Sequence, residues 1–126
     1  MNDTLLLLGR ILLSVLFLVA GFGKLTGAEG FAGALGGMGF PAPLLMAYLV
    51  GAFELLGGLA VLVGYQTRGV AILLALFCLA TGLVAHASEA TALMKNIGLA
   101  GGFLALAAAG AGAFSLDARR GTLSGA

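Results

Sequence analysis

A chain of 126 residues that is 61% hydrophobic, 9% charged and carries a net charge of +1 cannot clothe a core in a water-compatible surface, because soluble domains carry about 25% charged residues. There is no basic block, which argues against a nucleic-acid partner. A single cysteine excludes an internal disulfide and a cysteine-clustered metal site.

Four apolar stretches follow in order, at residues 5–24, 43–63, 69–85 and 96–114. Each reaches or approaches the roughly 20 residues that cross a bilayer. Lipid-exposed strands would leave amides unpaired, so each span must be helical. The expected fold is all-α: an integral membrane four-helix bundle, one domain over 1–126, with a short interfacial helix after the first span.

The first span contains Arg10 and Ser14. It does not read as a cleaved leader: Asp3 precedes it, its positive charge comes late, Lys24 follows, and no clean A-x-A site is present. In the Gly-rich connection that follows, Thr26 and Glu29 have capping-box spacing. Phe31, Leu35 and Met38 then share one helical face, which predicts a short helix lying in the interface. Phe40-Pro41-Ala42-Pro43 ends that helix and opens the second span, since proline fits a first helical turn.

The second span has Glu54 at its centre, 11 residues past Pro43. A carboxylate at mid-bilayer costs about 2.5–3.5 kcal/mol on insertion scales. Such a group must face protein, water or a partner charge, which makes Glu54 the leading site candidate. Gly64 to Arg68 is a tight turn into the third span. Cys78 there reads as a small packing residue. His86 to Asn96 links the third and fourth spans. The tail from Ser115 is polar and expected to be mobile at its end. Tyr48 and Tyr65 suit the membrane interfaces, where indoles are lacking.

Glycine occurs 22 times. Gly98 with Gly102 and Ala71 with Ala75 have small-xxx-small spacing, and Gly51, Gly57 and Gly58 flank Glu54. Such stripes let helix backbones approach closely. Around Glu54 they would also leave room for a ligand or water.

The remaining charges divide by side. Four spans place both termini and the 64–68 turn together, with Arg10, Arg68, Arg119 and Arg120, against Lys24 and Lys95 opposite. The positive-inside rule then predicts cytoplasmic termini. Arg10 either holds Glu54 in an ion pair through its planar fork or snorkels to the headgroups. Glu54 is otherwise a neutral acid bonded to a neighbour. Lys24 and Lys95 are interfacial anchors, or a cationic rim for an anionic headgroup, a quinone carbonyl, Glu29 or Glu89. His86 is an interfacial hydrogen-bonding group first and a proton-handling group second. No phosphate-binding loop, nucleophile elbow, metal-ligand cluster or Ser/His/Asp set occurs, so nothing carries the chemistry of an enzyme acting alone.

Gly9-Arg10, Phe17 and Gly21-Phe22-Gly23-Lys24-Leu25 resemble the first helix of the DoxX family of small bacterial and archaeal membrane proteins. The likeness continues through Gly39-Phe40-Pro41-Ala42-Pro43, Glu54-Leu55-Leu56-Gly57-Gly58, Gly64 and Thr67-Arg68-Gly69. It ends with Gly110-Ala111-Gly112 and Ser115-Leu116-Asp117, departing from the family at Ala111 and at Ala113-Phe114. The resemblance implies a four-helix inner-membrane protein. It also implies a link to quinone-linked oxidoreductases and oxidative-stress complexes, with Arg10, Lys24, Glu54 and Arg68 as the polar positions to test.

The expected function is an accessory or scaffold subunit of a membrane redox or envelope complex that contacts quinone or lipid. The expected partners are the bilayer, further copies of the chain or redox-complex subunits. The rival reading is a small oligomeric transporter or proton/solute pathway in which Glu54 titrates. A third is structural only, with Arg10 and Glu54 holding two helices in register.

Overall fold

A computed structural model describes residues 2–85 and 88–120. The expectation for His86, and that of a mobile tail end, fall outside the described residues. The described chain is all-α: α1 (Asn2–Thr26), α2 (Ala28–Gly37), α3 (Pro43–Val63), α4 (Thr67–Ala85), α5 (Ala90–Ala109) and α6 (Leu116–Arg119). Of these, α1, α3, α4 and α5 are long and apolar enough to cross a membrane. At ~1.5 Å per residue, the 21 residues of α3 match a hydrocarbon layer about 30 Å thick.

The pattern along these helices is inverted relative to a soluble protein. Large apolar side chains point outward, with Leu12, Val19, Leu56 and Leu83 each about two-thirds exposed or more. The buried positions mix small and polar residues with a few large apolar ones (Phe17, Leu74, Phe103 and Leu106), and recur in steps of four and three. On α1 they are Arg10, Ser14, Phe17 and Gly21; on α3 they are Ala47, Gly51, Glu54, Gly58 and Val61. The α4 seam runs through Thr67, Ala71, Leu74, Cys78 and Gly82, and the α5 seam through Asn96, Ala100, Phe103 and Leu106. Steps that average 3.5 residues keep one stripe facing a left-handed neighbour. Lipid offers leucine no reason to turn inward, so association rests on close packing of small residues and on interhelical polar contacts.

Contacts divide the chain into two compact units, Met1–Leu13 with Ala60–Ala126, and Ser14–Leu59. In the Ser14–Leu59 unit, α1 lies on α3 at glycine. A Cβ on Gly21 would stand 2.5 Å from the Leu55 amide nitrogen and 2.9 Å from the Gly51 carbonyl oxygen. One on Gly58 would stand 3.2 Å from Leu18. The α2 helix turns Ala28, Ala32 and Leu35 onto Ala47 of α3, with Phe31, Phe40 and Met46 packed around them. Met38, read as part of this face, is instead exposed. The capping box does not form either. Thr26 donates back into α1, to the Phe22 and Gly23 carbonyls at 2.9 and 3.3 Å, and Gly27 occupies the N-cap of α2 with no side-chain cap.

In the other unit α4 packs along α5. Gly82 admits Asn96, whose Cβ would lie 3.2 Å from an added Cβ. The Asn96 amide donates to Thr81 Oγ1 at 3.2 Å. Gly102 receives Leu13, but a Cβ on Gly98 would meet nothing within 4 Å. The Gly98/Gly102 spacing is therefore not a packed pair inside this chain, and the α5 seam runs beside it.

Candidate functional site

Lys24 lies in the last turn of α1, where the helix dipole favours a cation. Its stem crosses α3 at Gly51, where an added Cβ would come within 3.0 Å of Lys24 Cβ. Three residues further along α3, nearly one helical turn, Glu54 is met by the ammonium: Nζ stands 2.8 Å from Glu54 Oε1. The carboxylate is buried while the lysine side chain remains 23% exposed. The Phe31 ring of α2 covers the same ammonium, 4.9 Å from its centroid, a distance suited to a cation–π contact. The three α-helices of this unit thus meet at one pair of opposite charges. Glycine on α3 makes room for the lysine stem, and the apolar face of α2 brings the ring.

Glu54 therefore has its cation in Lys24. Arg10, considered as its partner from the sequence, serves elsewhere. It is fully buried, which replaces the snorkelling alternative, and its guanidinium caps the end of α3 and ties it to the segment between α5 and α6. Nη1 donates to the Leu62 and Val61 carbonyls at 3.1 and 3.4 Å, and Nη2 donates to the Phe114 carbonyl. The last carbonyls of a helix have no intrahelical donor, and leaving them unpaired in hydrocarbon costs several kcal/mol each. An arginine from another helix meets that need with several donors at once.

The tail completes this clasp, and reading the sequence missed it. Gly64 adopts φ +73 and closes α3: Tyr65 N–H reaches the Ala60 carbonyl at 2.8 Å and Gly64 N–H the Val61 carbonyl at 3.2 Å, a Schellman pattern. A side chain at Gly64 would overlap Ser115 and stand 2.5 Å from Arg10 Nη1. Asp117 is buried. Its Oδ1 and Oδ2 accept from the Gln66 and Thr67 amides at 2.8 and 2.9 Å, placing a carboxylate on the N-terminus of α4, where free N–H groups and the helix dipole favour it. Its own N–H donates to the Gly64 carbonyl at 2.9 Å. Ser115 caps α6 by accepting from Ala118 N–H at 3.1 Å, and Asp3 accepts from Ala113 N–H at 2.9 Å. A Ser-x-Asp set just after a glycine helix stop was the available signal.

Arg68 stands in the first turn of α4, partly buried, with its guanidinium 3.4 Å from where a Cβ on Gly110 would be. Lys95 is exposed on α5. His86 lies outside the described residues. Outside the spans, the Tyr65 hydroxyl is held below its ordinary range, first by hydrogen bonding to Arg120 and then to Gln66. The Arg120 guanidinium also sits 5.1 Å from the Tyr65 ring centroid.

Helices with lipid-facing leucines, inward polar groups and a charge pair held by glycine seams define a four-span helical membrane protein. The DoxX family model matches residues 5–87, and the chain belongs to the DoxX family. It is 41% identical to inner membrane protein YqjF of Escherichia coli (strain K12) over 122 residues, covering 93% of this chain and 92% of that one. It is 33% identical to inner membrane protein YphA of the same organism over 128 residues, covering 94% and 91%. Over 70 residues it is 42% identical to CatD of Bacillus subtilis (strain 168), a protein named as a candidate oxidoreductase, covering 56% and 51%. No solved structure matches it.

Proposed function

We propose that this chain is an accessory or scaffold subunit of a redox or envelope complex in the cell (inner) membrane, with both termini cytoplasmic, and that the Lys24–Glu54 pair receives the polar head of a quinone or lipid. The observation that carries this reading is the ammonium itself. It has three donors, it lies 2.8 Å from Glu54, it remains partly exposed, and an aromatic ring covers one side of it. A quinone offers what such a niche takes: carbonyl acceptors for the ammonium and a flat ring for Phe31. The names of YqjF and YphA support the inner membrane. The name of CatD supports a redox setting. Arg10, Arg68, Arg119 and Arg120 against Lys24 and Lys95 support the orientation.

The test is mass spectrometry of the full chain extracted with its native lipids. An isoprenoid quinone or a partner subunit should accompany the wild type and be depleted in Lys24→Arg and Glu54→Gln, which keep side-chain size. Repeated recovery of the protein alone overturns the reading. Flux into liposomes that is abolished by Glu54→Gln replaces it with a transport role.

A further inference from the structure

We propose that a groove beside the C-terminal clasp binds the phosphate headgroup of an anionic phospholipid. The groove, of about 370 Å³, is lined by Val63, Ala113, Phe114, Ser115, Leu116 and Arg119. Val63 is the last residue of α3, so the groove opens where hydrocarbon gives way to headgroups. Three of its walls are apolar side chains that remain exposed: Val63 at 43%, Phe114 at 56% and Leu116 at 40%. The fourth is the exposed cation Arg119. First acyl carbons against the apolar walls and a phosphodiester on the guanidinium would satisfy both chemistries, and arginine suits phosphate because its fork donates in a plane.

Charge complementarity favours an anion. Arg68, Arg119 and Arg120 belong to the same compact unit as the groove. The nearby acids already have donors: Asp117 is taken by the Gln66 and Thr67 amides, and Asp3 holds Ala113 N–H. The groove is also preformed. Its backbone is fixed by the Asp3 bond at Ala113, the Arg10 bond at Phe114 and the Ser115 cap, so binding need not order a loose segment first.

The experiment uses the full chain in nanodiscs of phosphatidylcholine doped with phosphatidylglycerol, reading bound lipid by native mass spectrometry. Phosphatidylglycerol should be retained preferentially. Arg119→Gln should lower that preference roughly five-fold, the effect of removing one surface cation facing anionic lipid, while Arg119→Lys should keep most of it. Phe114→Ala should weaken retention without changing salt sensitivity. Displacement of the signal by millimolar inorganic phosphate would identify a free-anion site and overturn the lipid assignment. Equal retention of both lipids, or an unchanged preference in Arg119→Gln, would overturn the proposal outright.

Discussion

Glu54 and Lys24 are tolerated in the apolar interior because each supplies the other's counter-charge. Removing one partner of a buried pair costs about 3–5 kcal/mol, whereas replacing both with apolar residues is often near neutral. Lys24→Met should therefore destabilise strongly, and Lys24→Met with Glu54→Leu should recover most of the loss, measured as unfolding in mixed micelles. Additive losses would rule out direct pairing. Gly21 gives a second residue-scale prediction. An alanine there would drive a methyl group into helix backbone, which no rotamer change can relieve, so Gly21→Ala should cost about 1–3 kcal/mol or more. Gly23→Ala, where a Cβ meets nothing within 4 Å, should be tolerated. At Tyr65 the prediction concerns pH. Arg120 favours the phenolate, so the hydroxyl ionises below its usual value. That contribution to stability is fully present above the ordinary tyrosine pKa and disappears as pH falls through the depressed one. Ultraviolet titration should show one phenol moving back up in Arg120→Gln.

Helix ends set the terms at the element scale. The end of α3 and the start of α4 expose carbonyls and amides that lipid cannot satisfy. Here Arg10 meets the carbonyls and Asp117 the amides. Hydrogen bonds to charged groups contribute about 1.5–3 kcal/mol each. Asp117→Ala should therefore destabilise by about 2–4 kcal/mol, on the same scale, and Gly64→Ala should be at least as damaging through backbone strain and overlap with Ser115. Hydrogen exchange should show the first amides of α4 losing protection in Asp117→Ala before those in the middle of the helix. The same logic explains where α5 stops. The apolar run continues to Phe114, but Gly110 adopts φ +82 and the helix ends at Ala109. Hydropathy measures the preference of side chains for lipid, and a backbone turn that the tail then satisfies leaves it unchanged.

At the scale of the molecule, an even number of spans predicts that residues 2 and 120 share one side of the bilayer. The arginine bias predicts that this side is cytoplasmic. A periplasm-active phosphatase fused after residue 120 should be inactive, and the same reporter inserted between α4 and α5 should be active. The opposite pattern would reverse the orientation.

Composition and apolar run length alone required a membrane-spanning helical protein, because a bilayer imposes length and internal hydrogen bonding on any chain that crosses it. Glu54 stood out for the same reason, since a charge at that depth must be explained. Its partner was decided only by tertiary packing. Arg10 and Lys24 are both cations on α1, and which of them reaches Glu54 depends on the register set where Gly21 meets Gly51 and Leu55, a contact between backbones that hydropathy does not record. Asp117 was hidden likewise: in the linear chain it belongs to a short polar tail, and only the folded turn brings it to the bare amides of α4.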